Sequence, residues 1–178
     1  MGVGEMKTPV EFLVEFSEPL LVIGGQAVRA LGYARQTSDW DFMIAVANAV
    51  AVKRYIEAQG YKEVYRTSSF IKFQPEDKAR GDLDVMTVDA PTFAKMAAGS
   101  LEVCIDGITV RVPAVGHLIA LKLHAIKNNA YRELQDMTDI VELLRAHPDS
   151  VSDDELRATC ERYGPAGFFE RIQYFRRR

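Results

Sequence analysis

The run Leu20-Leu21-Val22-Ile23-Gly24-Gly25 constrains this chain more than any other stretch. Four apolar residues in succession read as a short buried strand. The glycine pair ends it where the chain can turn tightly and a ligand can approach bare backbone. Gln26 to Leu31 is amphipathic and is expected to be helical. Its first N–H groups would point back at Gly24 and Gly25, the usual way for a backbone to hold phosphate. After a loop, Asp39 and Asp41 open a second strand. Residues i and i+2 of a strand face the same way, so both carboxylates look toward the glycine turn. Two like charges side by side repel unless a cation lies between them. A phosphate cradle beside paired carboxylates points to a divalent metal and a nucleotide.

The chain has 178 residues, enough for one core or one domain with a helical appendage. Its formal net charge of -3 argues against charge-driven binding of nucleic acid by the whole molecule, though not against a local basic groove. Cys104 and Cys160 are far apart and form no CxxC. They read as reduced structural thiols of a cytoplasmic protein, with Cys104 packed in the body. No apolar run approaches the roughly 18 residues of a spanning helix, and Met1 to Pro9 has no signal-peptide core. No membrane partner is expected.

Thr8-Pro9-x-Glu11 reads as a capping box opening a helix from Pro9 to Phe16. Strands are expected over Leu20–Ile23, Trp40–Val46, Tyr61–Tyr65, Ser69–Gln74 and Leu83–Val88. In the last, Asp82 and Asp84 share one face, and Leu83, Val85 and Thr87 the other. A helix over Ala47–Gln59 places Val50 and Ile56 inward, and Pro91–Ala98 reads as another. Val103–Asp106 and Ile108–Val112 form a hairpin around Asp106-Gly107. From Pro113 the pattern changes to helix: Val115–Lys127, Tyr131–Ala146 with a stripe beginning at Leu134, Ser152–Tyr163 and Phe168–Tyr174. The expectation is an α/β body over residues 1–113, a mixed sheet flanked by helices, and a helical lobe over 114–178 closing a cleft.

Asp39 and Asp41 form the first constellation. Asp84 is the third carboxylate by its depth between Leu83 and Val85, where solvation does not explain a charge; Asp82 is its competitor. Three carboxylates around two Mg²⁺ or Mn²⁺ ions suit a two-metal transfer. Lys122 interrupts the apolar run Leu118–Leu123. Such a lysine either snorkels, meets an anionic partner or contacts triphosphate. Asp136 and Asp139 read as ion-pair partners of Lys122, Lys127 or Arg132. Arg29 braces the phosphate loop or an aspartate, or touches nucleotide. Ser38 bonds a terminal phosphate or caps a turn. Arg35 and Lys72 are weaker cleft candidates. His117, His124 and His147 lack ligand spacing for zinc.

Val22-Ile23-Gly24-Gly25-x-x-x-Arg29, Ser38-Asp39-Trp40-Asp41 and Asp82-Leu83-Asp84-Val85 together resemble the minimal nucleotidyltransferases of the DNA polymerase β superfamily. The match runs from about Leu20 to Leu144. Within that group it is most similar to prokaryotic abortive-infection (AbiEii-like) toxin enzymes, where a lysine-bearing helix precedes an arginine and a Lys-Asp-x-x-Asp-Ile segment. Gln135 stands here where that lysine is common. The resemblance implies the nucleotidyltransferase fold, metal binding by Asp39, Asp41 and Asp84, and phosphate contact by the Gly24-Gly25 turn. It implies transfer of a nucleoside monophosphate from an NTP to an acceptor hydroxyl on RNA, protein or a small molecule, and an antitoxin partner if the chain is a toxin. An aminoglycoside-like acceptor would want an acidic pocket, for which Glu133, Asp136, Asp139 and Glu142 are the candidates. A catalytically inert nucleotide-binding module is the alternative of a different class. Whether the chain is a monomer or a dimer is not legible.

Overall fold

The computed structural model describes residues 7–178; Met1–Met6, and the reading of that stretch as lacking a leader, lie outside them. Helix α1 (Pro9–Leu13) opens the chain, with the Glu11 carboxylate accepting the Thr8 N–H at 2.5 Å. Strand β1 (Leu21–Ile23) is wholly buried and runs directly into helix α2 (Gly24–Ala30). The helix starts at Gly24 rather than Gln26 because Gly24 alone takes the reversal, at φ +63°. Strand β2 (Trp40–Ala45), a short 3₁₀ turn (Val46–Asn48), helix α3 (Ala49–Ala58), and strands β3 (Tyr61–Arg66), β4 (Phe70–Pro75) and β5 (Leu83–Val88) complete the main sheet. Helix α4 (Ala90–Ala98) leads to the hairpin β6 (Leu101–Ile105) and β7 (Ile108–Val112). Helices α5 (Val115–Asn128), α6 (Glu133–Ala146), α7 (Asp153–Tyr163) and α8 (Phe168–Arg176) follow, with a 3₁₀ turn (Ala130–Arg132) before α6.

The five-stranded sheet has the order β1-β2-β5-β4-β3. Only β2 and β5 are parallel; every other pair is antiparallel. The β6–β7 hairpin lies beside β1 through β7, and α5 packs on both α6 and α7. One continuous buried cluster runs from Val10 to Ile172, taking in strands β1, β2, β4 and β5 and helices α5 to α8. The switch to helix at Pro113 is therefore a change of secondary structure within a shared core. Among the described residues, no helix is long and apolar enough to cross a membrane.

Several side chains lie elsewhere than periodicity suggests. In α3, Val52 and Ile56 face inward and Val50 is exposed, because the helix begins only at Ala49 after the 3₁₀ turn has shifted its phase. Leu134, in the first turn of α6, is exposed, while Met137, Ile140, Val141 and Leu144 of the same expected stripe are buried. Cys104 is exposed on the edge hairpin, while Cys160 is buried. In β2, Met43 is as buried as Phe42 and Ile44, since a central strand covered on both faces has no solvent side beyond its first residues.

Ile140 is fully buried at the centre of α6. Ile140→Ala should lower the unfolding free energy by about 2–5 kcal/mol, the usual cost of an aliphatic core truncation, read by urea denaturation.

Candidate active site

The site is built by strand register. Asp41 of β2 lies directly across from Asp84 of β5. On the next strand Lys72 of β4 faces Asp84, and on the other side Ile23 of β1 faces Asp41. Directly paired residues on adjacent strands share a face, with strands about 4.8 Å apart. Asp39 lies in the loop just before β2, near enough for its charge to raise both Asp41 and Asp84. Three carboxylates therefore share one corner of the sheet, at the end where β1 turns into α2.

Gly24 makes this corner possible. A Cβ there would run into the Asp41 carboxylate, and its φ of +63° is one L side chains rarely adopt. The Gly25 backbone N–H favours the ionised Asp41 carboxylate, so the first turn of α2 already faces an anion. Gly25 itself lies under Thr37 and the Arg35 guanidinium. Gly81, at φ +76°, performs the same service one strand away: a Cβ would strike the Ser38 carbonyl, where the Trp40 N–H reaches the Asp82 carbonyl at 3.0 Å. The Gln26 amide holds the intervening loop, donating to the Thr37 and Asp39 carbonyls at 3.5 Å each. Ser38 Oγ donates to Asp39 Oδ1 at 3.0 Å; in this structure it orients a carboxylate.

Crowding marks the acids electrostatically. Burial raises the Asp41 carboxyl above its ordinary range, and Asp39 adds to this; Arg132, Lys122 and the Gly25 N–H oppose it. Burial, then repulsion from Asp41, pushes Asp84 up to about 6, against the pull of Lys72. One Asp84 oxygen, Oδ1, is buried with no hydrogen-bond partner. Its nearest cation, Lys72 Nζ, stands 3.9 Å away and is bonded instead to Asp82 Oδ2 at 2.9 Å, which Gln74 also contacts. Asp82 is thus neutralised while Asp84 is not, and Asp84 is the one placed beside Asp41.

Behind the carboxylates lies a chain of buried charges. Lys122 of α5 is 5% exposed and donates to Asp136 Oδ1 at 2.9 Å and to Asp139 Oδ2 at 2.6 Å; those aspartates are 0% and 1% exposed. Arg132 bonds Asp136 at 2.8 Å, and Arg35 reaches across from the α2–β2 loop to Asp139 at 2.5 Å. Burial alone would raise Asp136, but Lys122 and Arg132 hold it below the usual carboxylate range. Three cations thus share two anions, leaving one net positive charge beside Asp41. Arg35 also meets the Gln135 side chain. A lysine at 135 would repel Arg35, so the glutamine suits a site that takes its cation from the loop.

Two expected nucleotide contacts have other partners here. Lys122 is saturated by Asp136 and Asp139, so it supports the site from behind. Arg29, in the last turn of α2, points away to Asp106 on the β6–β7 turn at 3.2 Å, because α2 packs against that hairpin. The acidic acceptor pocket is absent as drawn. Asp136 and Asp139 are buried in the charge chain, Glu133 pairs with Arg171 and Glu142 with Arg145. Pattern alone gave no reason to choose Gln26, Thr37 or Gly81; only the packed loop reveals them.

The donor set fits a hard divalent cation. It offers carboxylate oxygens, one of them orphaned, on adjacent strands. As they stand, no three His, Cys, Asp or Glu side chains among the described residues are gathered to hold an ion. Mg²⁺ does not require that: it usually takes one or two carboxylates and completes its shell with water and substrate phosphates.

No protein-family model matches the chain, and no curated protein matches it. Solved structures do. The antibiotic-resistance factor ANT(2'')-Ia, in complex with adenylyl-2''-tobramycin, matches with a TM-score of 0.67 at 14% identity, over 86% of this chain and 91% of that one. The lincosamide antibiotic adenylyltransferase LnuA, lincomycin-bound, gives 0.53 at 17% identity over 75% and 90%. Megavirus polyadenylate synthase gives 0.54 at 16% identity over 81% of this chain and 32% of that one. The mixed sheet with its flanking helices is the nucleotidyltransferase fold.

Lys122→Met should destabilise the protein by about 3–5 kcal/mol, because it removes the cation shared by two buried carboxylates; chemical denaturation reads this directly. Asp84 gives a pH signature in metal-free buffer. Its folded pKa lies above the unfolded one, so folding takes up protons. Wild-type stability is then greatest at low pH with respect to this group, and falls as pH rises through about 6. Asp84→Asn should be more stable than wild type by about 3 kcal/mol at about pH 8. That advantage should vanish by about pH 4, followed by thermal melts across the range.

Proposed function

We propose that this chain is a divalent-metal-dependent nucleotidyltransferase that moves a nucleoside monophosphate from an NTP to an acceptor hydroxyl and releases pyrophosphate. The observation that carries the reading is the pairing of Asp41 with Asp84 across β2 and β5, with Asp39 two residues earlier, on a fold shared with adenylyltransferases. Asp39, Asp41 and Asp84 would hold Mg²⁺ or Mn²⁺. When bound, the ion supplies Lewis-acid polarisation of phosphate oxygens and lowers the pKa of a coordinated hydroxyl. Asp84, set against Asp41 across β2 and β5, would take the acceptor proton. The first turn of α2 at Gly24-Gly25 faces the triphosphate, and Ser38 keeps Asp39 oriented. The positive charge left over in the Arg35–Lys122–Arg132 chain offsets phosphate charge from behind.

For the acceptor, we favour a small hydroxylated molecule. Antibiotic adenylyltransferases are among the neighbours matched along most of both chains, whereas this chain covers under a third of the polyadenylate synthase. An aminoglycoside-like polycation is a poor fit to this helical face, since Glu133 and Glu142 are already paired. RNA or protein as acceptor, like the toxin role and its antitoxin partner, rests on the sequence motifs alone.

The test incubates the chain with each labelled NTP, Mg²⁺, and separate pools of small hydroxylated metabolites and antibiotics, total RNA, and protein. Label should enter the small-molecule pool, depend on added Mg²⁺ and cease with EDTA. Asp84→Asn should reduce it by about 10²–10⁴-fold, as for loss of a general base. Label in RNA or protein would overturn the acceptor, and label in no pool would overturn the enzymatic reading.

A further inference from the structure

Lys72 is paired with a carboxylate other than the one its register supplies. On β4 it lies directly across from Asp84 of β5, and an opposite charge at the facing position is the ordinary cross-strand partner of a lysine. Its ammonium nevertheless stands 2.9 Å from Asp82 Oδ2 and 3.9 Å from Asp84 Oδ1. Gln74, two residues along β4, donates to the same Asp82 oxygen at 3.2 Å. Asp82 thus collects both donors from β4, while Asp84 Oδ1 is buried without a hydrogen-bond partner. Reach does not explain this, because the lysine stem is flexible and the gap is short. A buried carboxylate oxygen left unpartnered so near an ammonium needs a cause. The competing pair with Asp82, itself tied to Gln74, supplies it.

We propose that Asp82 is a positioning residue: it holds the Lys72 ammonium off Asp84 and so reserves that carboxylate for a divalent cation. The proposal rests on the reading of Asp84 as a metal ligand. An ammonium seated on Asp84 would compete with the ion for the same oxygens, and a tethered competitor acts at high effective concentration. Asp82 also separates the two acids of Gly81-Asp82-Leu83-Asp84. Asp84 faces Asp41; Asp82, just ahead of β5, takes the cation that would otherwise neutralise its neighbour. Lys72 stays beside the corner in either case. What Asp82 changes is which oxygens the ammonium covers.

Mn²⁺ titration of the full chain at fixed pH, followed by the paramagnetic resonance of the free ion, tests this in a double-mutant cycle. Asp82→Asn keeps an oxygen for Gln74 but loses the charge that holds Lys72. It should raise the Mn²⁺ dissociation constant by about tenfold or more, a coupling of the size seen between contacting groups. Lys72→Gln should change the constant by less than about threefold in wild type, yet lower it by about tenfold in the Asp82→Asn background. Equal factors in both backgrounds would mean that Asp82 acts only by its charge through space, and would overturn the positioning role. Glu76→Gln, which removes a negative charge paired with Lys62, should leave Mn²⁺ affinity unchanged. A metal-free crystal structure of Asp82→Asn is the second arm. Lys72 Nζ should lie within hydrogen-bond distance of Asp84; an ammonium still at position 82 or in solvent would overturn the proposal. A wild type that takes up no Mn²⁺ would sink the metal reading of Asp84, while the variant structure alone decides whether Asp82 holds the lysine.

Discussion

Lys122 is the residue on which the arrangement turns. A buried ammonium is costly unless its charge is met by well-placed hydrogen bonds. Asp136 and Asp139 meet it from one turn of α6, and neither is free to serve Lys122 alone. Asp136 is also held by Arg132, and Asp139 by Arg35. Each aspartate therefore joins a helix to a second element. The loop between α2 and β2, the turn before α6, and helices α5 and α6 become one electrostatic unit. The loop fixed this way is the one that ends in Ser38 and Asp39.

The carboxylate corner depends on that unit and opposes it. Asp41 and Asp84 are drawn together by strand pairing, which has no regard for their charge, and Asp39 stands beside them in the loop just before β2. The surplus positive charge behind them eases Asp41, yet Asp84 stays strained, with a raised pKa and an orphaned oxygen. Lys72 is spent on Asp82. A fold that crowds acids and leaves one unpaired has placed a demand for a cation at a defined corner. The metal-dependent transfer proposed above would answer that demand.

Much of this was legible along the chain. The strand before Gly24-Gly25, the alternation through Leu83–Val88 and the helices after Pro113 follow from patterns a few residues wide, and the structure has all of them. The register that sets Asp84 against Asp41 was anticipated only as proximity, since a parallel pairing between β2 and β5 joins strands some forty residues apart. Arg29 illustrates the limit. Its spacing from Gly25 suits a phosphate contact, but the packing of α2 on the β6–β7 hairpin offers Asp106 instead. Val50 and Leu134 failed for a simpler reason: each lies in the first turn of its helix, outside the part that packs on the core.

By itself, then, the sequence determined the kinds of element, the glycine reversal and the identity of the acids, because these depend on local backbone sterics and on side-chain alternation. Which cation serves which carboxylate was decided only in the folded chain. Arg35 and Asp139 are over a hundred residues apart, as far as sequence is concerned strangers, and long side chains choose partners by distance and burial after the backbone has closed. The same holds for Gly81, whose missing side chain matters only once the Ser38 carbonyl has come to lie against it.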